Sequence, residues 1–485
     1  MGIFQKLFKQ TFIYGLATVL PRLFSFLLII VHTKYLIGGR VAFGRVSILF
    51  SWILVFNVIL AYGMETSFFR FWNIDKYKDK VISTASLSIL ISTLLFVFIS
   101  FFAQNPILSL LEIDREFLVY VVLILAFDAL VIIPFASLRA KERPMRYALL
   151  KMVGVIINVV FNIFFLIFLP GLATYSEFFA SIYIDDFQVQ YIFIANMIAS
   201  GFTLLVMLPF YVKIKYRLDK ELWDKMIRYG TPVLISGLAF AINESFDKIL
   251  LEWILGEEKG LSDSGAYAAC YKLALFMTLF ATAFRMGIEP FFFSHAKEKN
   301  APITYATITQ YFVVFGSFIL VAVVTFSDLL KQFMIRKPEY WEAMVVVPII
   351  LLANFCLGIY HNLSVWYKIT DRTKFGAFIS VIGAILTLLF NFLLIPKYSY
   401  VGSAIATLVA YGSMMILSWY FGRKYYPIPY NLKKIGAYLI ISISFSILSF
   451  YIFESNYLIS IPLLLAFLVI LYASEKNQLK QILKK

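Results

Sequence analysis

Long stretches without a single charge set the pattern of this chain. Ten of them recur: Val46 to Met64, Val81 to Leu111, Met152 to Ser176, Phe187 to Val212, Asn300 to Ser327, Ala343 to Tyr367, Phe375 to Pro396, Tyr398 to Gly422, Ile435 to Phe453 and Ser455 to Ser474. A bilayer core about 30 Å thick takes about 20 apolar residues of helix at about 1.5 Å per residue. Four further apolar stretches, roughly 11–33, 117–138, 229–254 and 266–290, carry charges inside them. Together they predict 14 transmembrane helices. The apolar residues are consecutive rather than alternating, which argues for helices and against a membrane β-barrel. Burying ten such elements inside one soluble core is the weaker reading.

Composition agrees. The chain is 61% hydrophobic and 15% charged, against about 45–50% and about 25% in soluble domains. The net charge of +15 first suggests a nucleic-acid partner, but its distribution points elsewhere. With the N-terminus inside, 30 of the 43 Lys and Arg fall in inside segments, notably Arg70 to Lys80, Arg139 to Lys151 and Lys213 to Arg228. Outside segments hold nine: Lys34, Arg40, Arg45, Arg115, Lys259, Lys331, Arg336, Lys337 and Lys397. This is the positive-inside bias of an even span count, so no nucleic acid is expected. A multi-pass protein of the bacterial cytoplasmic membrane with both termini cytoplasmic is. The basic start lacks a small-residue cleavage site, so the first span is expected to be retained. Cys270 and Cys356 fall in apolar spans and read as small buried residues.

The loops are short. The largest inside one, 213–228, carries both signs of charge and reads as an amphipathic connector on the membrane surface. It divides the chain into a six-helix lobe (1–212), a second six-helix lobe (229–422) and two additional helices with a basic tail (423–485). Tyr14-Gly15 followed by Pro21 is echoed by Tyr229-Gly230-Thr231-Pro232, as in transporters built from two related bundles. Spans 13 and 14 show almost no charge beyond Glu454.

Ionisable groups inside spans are costly toward lipid, so they face a partner or a wet cavity. Here they are Arg22 in span 1, Asp128 in span 4, Glu244, Asp247, Lys248 and Glu252 in span 7, and Lys272, Arg285 and Glu289 in span 8. Glu244, Lys248 and Glu252 are spaced by four and share a helix face, as do Arg285 and Glu289. One reading is internal bracing by salt bridges. The other is a positively charged cavity for an anionic head group, since Arg and Lys are natural phosphate ligands.

Other chemistry is sparse. There is no phosphate loop, no zinc spacing among His32, His295 and His361, no fourfold filter sequence and no nucleophile elbow. No enzymatic activity and no cofactor are expected; coupling to Na+ or H+ stays open.

Several stretches resemble the polysaccharide transporters, the O-antigen and capsule flippases of the multidrug/oligosaccharidyl-lipid/polysaccharide exporter superfamily. The most specific is Tyr62-Gly63-Met64-Glu65-Thr66-Ser67-Phe68-Phe69-Arg70-Phe71, with Glu65 and Arg70 as its charged positions. Tyr229 to Pro232, Asp247-Lys248, Gly265-Ala266-Tyr267 with Tyr271-Lys272, Arg285 to Phe292, and Val401 to Thr407 follow in order. The resemblance implies an all-α membrane protein with two six-helix lobes around a central cavity plus two C-terminal helices. It implies flipping of undecaprenyl-pyrophosphate-linked oligosaccharide from the cytoplasmic to the outer leaflet. By motif match the pyrophosphate-binding residues would be Arg22, Lys248, Lys272 and Arg285, with Asp128, Glu244, Asp247, Glu252 and Glu289 as cavity or coupling acids. Its partners would be the lipid-linked glycan, membrane lipid, and a polymerase and glycosyltransferases of glycan assembly. Three alternatives remain: a multidrug/cation antiporter, a lipid II flippase, and a non-transporting scaffold of glycan assembly.

The topology is testable by cysteine labelling. Positions near 180, 259 and 335 should react from outside, and positions near 76, 143, 220 and 430 only after permeabilisation. An externally accessible C-terminus would contradict the assignment.

Overall fold

The computed structural model describes residues 19–483 apart from Arg22, Ser25, Ile113 and Lys297. Among the described residues the chain is helical and contains no strand. Among the described residues eleven helical segments are long and apolar enough to cross a membrane. The principal helices of the first half are α1 (Gly39–Ala61), α2 (Met64–Trp72), α3 (Lys78–Phe102), α4 (Arg115–Ala140), α5 (Pro144–Ile163), α6 (Gln188–Val212) and α7 (Lys220–Leu255). Those of the second half are α8 (Glu257–Tyr271), α9 (Leu275–Ser294), α10 (Ala301–Thr325), α11 (Val347–Leu363), α12 (Lys374–Tyr425), α13 (Leu432–Ile447) and α14 (Tyr457–Leu483).

Two of these explain why the count of eleven differs from the number of apolar stretches. Helix α12 runs 52 residues, roughly twice what a bilayer needs. It is broken at Ser399, whose φ of 47° and ψ of −130° are not helical. The halves fold back on each other. Ser403 donates to Asn391 Oδ1 at 2.8 Å, and Gly402 sits so close to Leu394 that an added Cβ would lie 2.6 Å from its carbonyl carbon. Helix α7 is not among the eleven; it is 36 residues long and carries charge along its length.

The chain forms two compact units, residues 1–265 and 266–485. Helix α7 therefore packs with the first unit, against α1, although the basic connector precedes it. The reason is close packing of α7 on α1 and on the turn that follows it: a Cβ on Gly237 of α7 would lie 2.9 Å from the Val58 side chain, and one on Gly63 would lie 2.3 Å from the Gly230 carbonyl oxygen. Helix α8 also meets α1 closely, since a Cβ on Gly44 would lie 1.9 Å from the Leu261 carbonyl oxygen. Gly63 also has a φ of +72°, a conformation that side chains disfavour.

The connector before α7 is tied to α3. Asp219 caps α7 by accepting from the Leu222 N–H at 3.0 Å and pairs with Lys80 at 2.8 Å. Trp223 Nε1 donates to Ser88 at 2.8 Å, and Ser83 donates to the Lys215 carbonyl. The Lys80 ammonium, aided by the Leu222 N–H, holds the Asp219 carboxyl below its ordinary range. A carboxylate of this kind supports the folded state above its unfolded pKa and loses that support as pH falls through its folded one.

In the second unit α13 and α14 are fastened by a buried carboxylate. Glu475 is 3% exposed; it pairs with Lys434 at 2.7 Å and accepts from Gln310 of α10 at 3.2 Å and from Tyr438. The last two helices thus hold a buried ionic centre at one end, beyond the Glu454 expected from sequence. Cys270 and Cys356 are buried and free, as expected.

The glycine contacts give a stability prediction. Gly44→Val should lower the thermal midpoint of the purified protein, costing about 1–3 kcal/mol or more by overpacking. Gly436→Ala, where an added Cβ meets nothing within 4 Å, should be neutral or gain up to about 1 kcal/mol from helix propensity. Equal midpoints for Gly44→Val and wild type would contradict the packing account.

Candidate anion-binding site

The residues singled out by sequence distribute over both units. Arg22 lies outside the described residues. Lys248 lies on α7, where its ammonium meets the Asp247 carboxylate at 2.8 Å. Asp247 is 1% exposed and Lys248 13%; Asp247 also accepts the Lys248 backbone N–H at 2.9 Å. Adjacent residues on a helix do not normally face each other, so the lysine stem curls back to reach its neighbour. Glu244 contributes its backbone carbonyl, 3.5 Å from Lys248 Nζ.

Glu252, two turns on from Glu244, lines a different cavity of the same unit. There Arg45 bridges Asp114 at 2.8 Å and Glu257 at 3.1 Å, with Glu112 alongside. Glu252 is 4% exposed and its Oε2 has no hydrogen-bond partner. Asp128 on α4 accepts from Ser200 on α6 at 2.8 Å.

The motif residues Glu65 and Arg70 hold helices rather than line a cavity. Glu65 pairs with Arg139 at 2.9 Å. The Arg70 guanidinium lies over the Tyr229 ring at 4.3 Å, and Ser67 donates to the Met226 carbonyl at 2.8 Å. The stretch 62–71 therefore docks directly onto Tyr229-Gly230, so two motifs noted separately in sequence are partners in space. An exposed ion pair such as Glu65–Arg139 contributes only about 0–1 kcal/mol, and Gly63 against Gly230 supplies the close fit.

In the second unit four charged or titratable groups converge. Arg285 and Glu289 share a face of α9. His361 near the end of α11 and Lys368 in the short helix Val365–Ile369 stand opposite. Arg285 Nη1 approaches His361 Nε2 at 3.4 Å, and Lys368 Nζ meets Glu289 Oε1 at 2.6 Å. An arginine can only donate, so this imidazole nitrogen accepts. With Asn362 and Ser364 these four line one small pocket that stays partly open to solvent, Glu289 being 38% and Lys368 29% exposed. Arg285 and Glu289, spaced for a salt bridge within α9, instead each take a partner across the cavity.

Lys272 opens a single 3-10 turn, Lys272–Ala274, between α8 and α9, and is half-buried. Sequence reading placed Lys368 in a loop and treated His361 as scattered. The available signal was their spacing of seven, two helical turns. Among the described residues no group of three or more His, Cys, Asp or Glu is placed to hold a metal ion.

Comparison with known proteins places this geometry. No curated protein sequence matches the chain. Solved structures do match in fold. A lipid II flippase, MurJ, in an inward closed conformation superposes with a TM-score of 0.73 at 16% identity, covering 96% of this chain and 99% of that one. An inward-facing multidrug resistance MATE family transporter gives 0.62 at 14% identity, covering 87% and 96%. A transporter of the same superfamily from Pyrococcus furiosus gives 0.58 at 16%, covering 89% and 96%. At these identities the likeness concerns fold, that of the superfamily to which the MATE transporters belong. The sequence model described as "Polysaccharide biosynthesis protein" matches residues 7–295, more than half of the chain, and the chain therefore belongs to that polysaccharide biosynthesis family.

Proposed function

We propose that this protein translocates polyprenyl-pyrophosphate-linked oligosaccharide from the cytoplasmic to the outer leaflet during polysaccharide biosynthesis. The observation that carries the reading is the Arg285–His361–Lys368–Glu289 cluster, two half-buried cations that face one pocket of a membrane-spanning unit. A glycan and a pyrophosphate cannot cross hydrocarbon unaided, because a buried charge is expensive. A hydrated cleft carries the head group past that barrier while the polyprenyl tail stays in lipid. No covalent bond is made, so the protein is a transporter and not an enzyme.

In this reading the chain has 14 spans. The bent α12 supplies two, α7 one and the first stretch, 11–33, one more, besides the other ten helices. Both termini are cytoplasmic, and two six-helix lobes, 1–212 and 229–422, rock about the cleft with the segment 213–228 between them. Arg22, Lys248 and Lys272 join Arg285 as head-group ligands. Polymerase and glycosyltransferase partners would supply and consume the lipid-linked glycan.

A second reading rests on a separate observation. Glu252 with its unpartnered oxygen and Asp247 are buried acids, and Asp128 a half-buried one, of the kind a cation-coupled antiporter uses. In the flippase reading the same acids serve coupling to Na+ or H+.

Substitution separates these readings. Arg285→Ala, Lys248→Ala and Lys272→Ala should each cut glycan export at least severalfold in cells while the protein still reaches the membrane. Lys476→Ala and Lys480→Ala should leave export unchanged. Full export by all three site variants and by their combination would refute the anion-site reading. Drug or cation efflux that survives these changes but fails in Glu252→Gln would favour the antiporter.

A further inference from the structure

Both cations of the second-unit cluster are already engaged. Lys368 holds Glu289 at 2.6 Å, and Arg285 rests on His361 at 3.4 Å. A phosphate group that takes both cations must part these contacts. The two contacts differ in kind. Glu289 offers one negative charge through one oxygen, whereas His361 offers a single lone pair to a guanidinium that has five donors. The second contact is long and weak by hydrogen-bond geometry.

We propose that Glu289 and His361 are resident ligands that park Lys368 and Arg285 until a phosphate group displaces them, and that the cost of this exchange keeps weakly binding anions off the site. The inference rests on the flippase reading and deepens it. An entering anion must outbid a carboxylate already in contact with Lys368. A phosphodiester carries one negative charge, the same as Glu289, and gains little by the exchange. A pyrophosphate or phosphomonoester carries more charge and more oxygens. It can take Lys368 and the guanidinium fork together by charge-assisted, bidentate contacts. The parked contacts lower the affinity for every anion by the same factor, so phosphodiester head groups, the weaker ligands, are left largely unbound. The terminal pyrophosphate or phosphate of a polyprenyl carrier, the stronger ligand, still binds. Glu289 and His361 are positioning residues here, acting on the ligand through the cations they hold.

The test uses the full chain in lipid nanodiscs. It measures binding of farnesyl pyrophosphate, inorganic pyrophosphate and dioctanoyl phosphatidylglycerol by calorimetry. Wild type should prefer farnesyl pyrophosphate to the phosphodiester. Glu289→Gln keeps the shape but removes the competing charge. It should tighten binding of the phosphodiester and of the pyrophosphates alike, about two- to fivefold, the scale of a partly exposed ion pair. His361→Gln, which keeps an acceptor, should change binding less than His361→Ala, which frees the guanidinium. Arg285→Ala and Lys368→Ala should lose pyrophosphate binding. Equal binding of inorganic and farnesyl pyrophosphate assigns recognition to the phosphates alone, and tighter farnesyl binding adds a lipid contact; both support an anion site. Unchanged or weaker binding of both anions by correctly folded Glu289→Gln overturns the parking proposal even where the alanine variants lose binding. Full pyrophosphate binding by Arg285→Ala and Lys368→Ala would instead defeat the anion-site reading beneath it.

Discussion

A charged group in an apolar helical interior needs a counter-charge, a hydrogen-bond donor or water, because its desolvation is otherwise too expensive. That constraint organises the interior of both units. Asp247 holds Lys248, Glu475 gathers Lys434, Gln310 and Tyr438, and Asp128 takes the Ser200 hydroxyl. The Glu475 and Asp128 contacts join separate helices, whereas Asp247 and Lys248 pair within α7. Glu475 is the clearest case, since one carboxylate ties together three helices otherwise lined with interchangeable leucine, isoleucine and phenylalanine.

The same constraint gives the second-unit cluster its meaning. Arg285 and Lys368 are only half-buried, and the protein still supplies a partner to each. Glu289 and His361 do so, the first by charge and the second by a long contact to one ring nitrogen. A site built in this way is closed at rest without being inert. The energy that holds it shut is a pair of contacts that a more highly charged ligand can replace, and low effective dielectric strengthens whichever partner wins.

Much of this was legible in the sequence, for definite reasons. Uninterrupted apolar runs identify spans because a bilayer imposes a length, and the family resemblance carried by Glu65 to Phe71 agrees with the sequence-model match over 7–295. The pairings were less legible. Arg285 and Glu289 are four apart and invite an internal salt bridge, yet each finds a partner contributed by residues 361–368, a choice made by packing across helices and invisible to spacing within one. Glu252 shares a face with Lys248 in sequence but lines the Arg45 cavity. Glu475 lies one residue past the run ending at Ser474, so it read as part of a tail. The docking of 62–71 on Tyr229-Gly230 depends on glycine backbones meeting, and residue type alone does not say which glycines meet.

The central claim is that this polysaccharide biosynthesis protein itself moves a lipid-linked glycan head group across the bilayer. The most direct measurement reconstitutes the purified full chain into vesicles that contain polyprenyl-pyrophosphate oligosaccharide. It follows protection of the glycan from an impermeant lectin or glycosidase over time. The account predicts that the protein makes the inner-leaflet pool accessible much faster than protein-free vesicles do. Accessibility no faster than in protein-free vesicles, from protein shown to be folded and supplied with a Na+ or proton gradient, would contradict it.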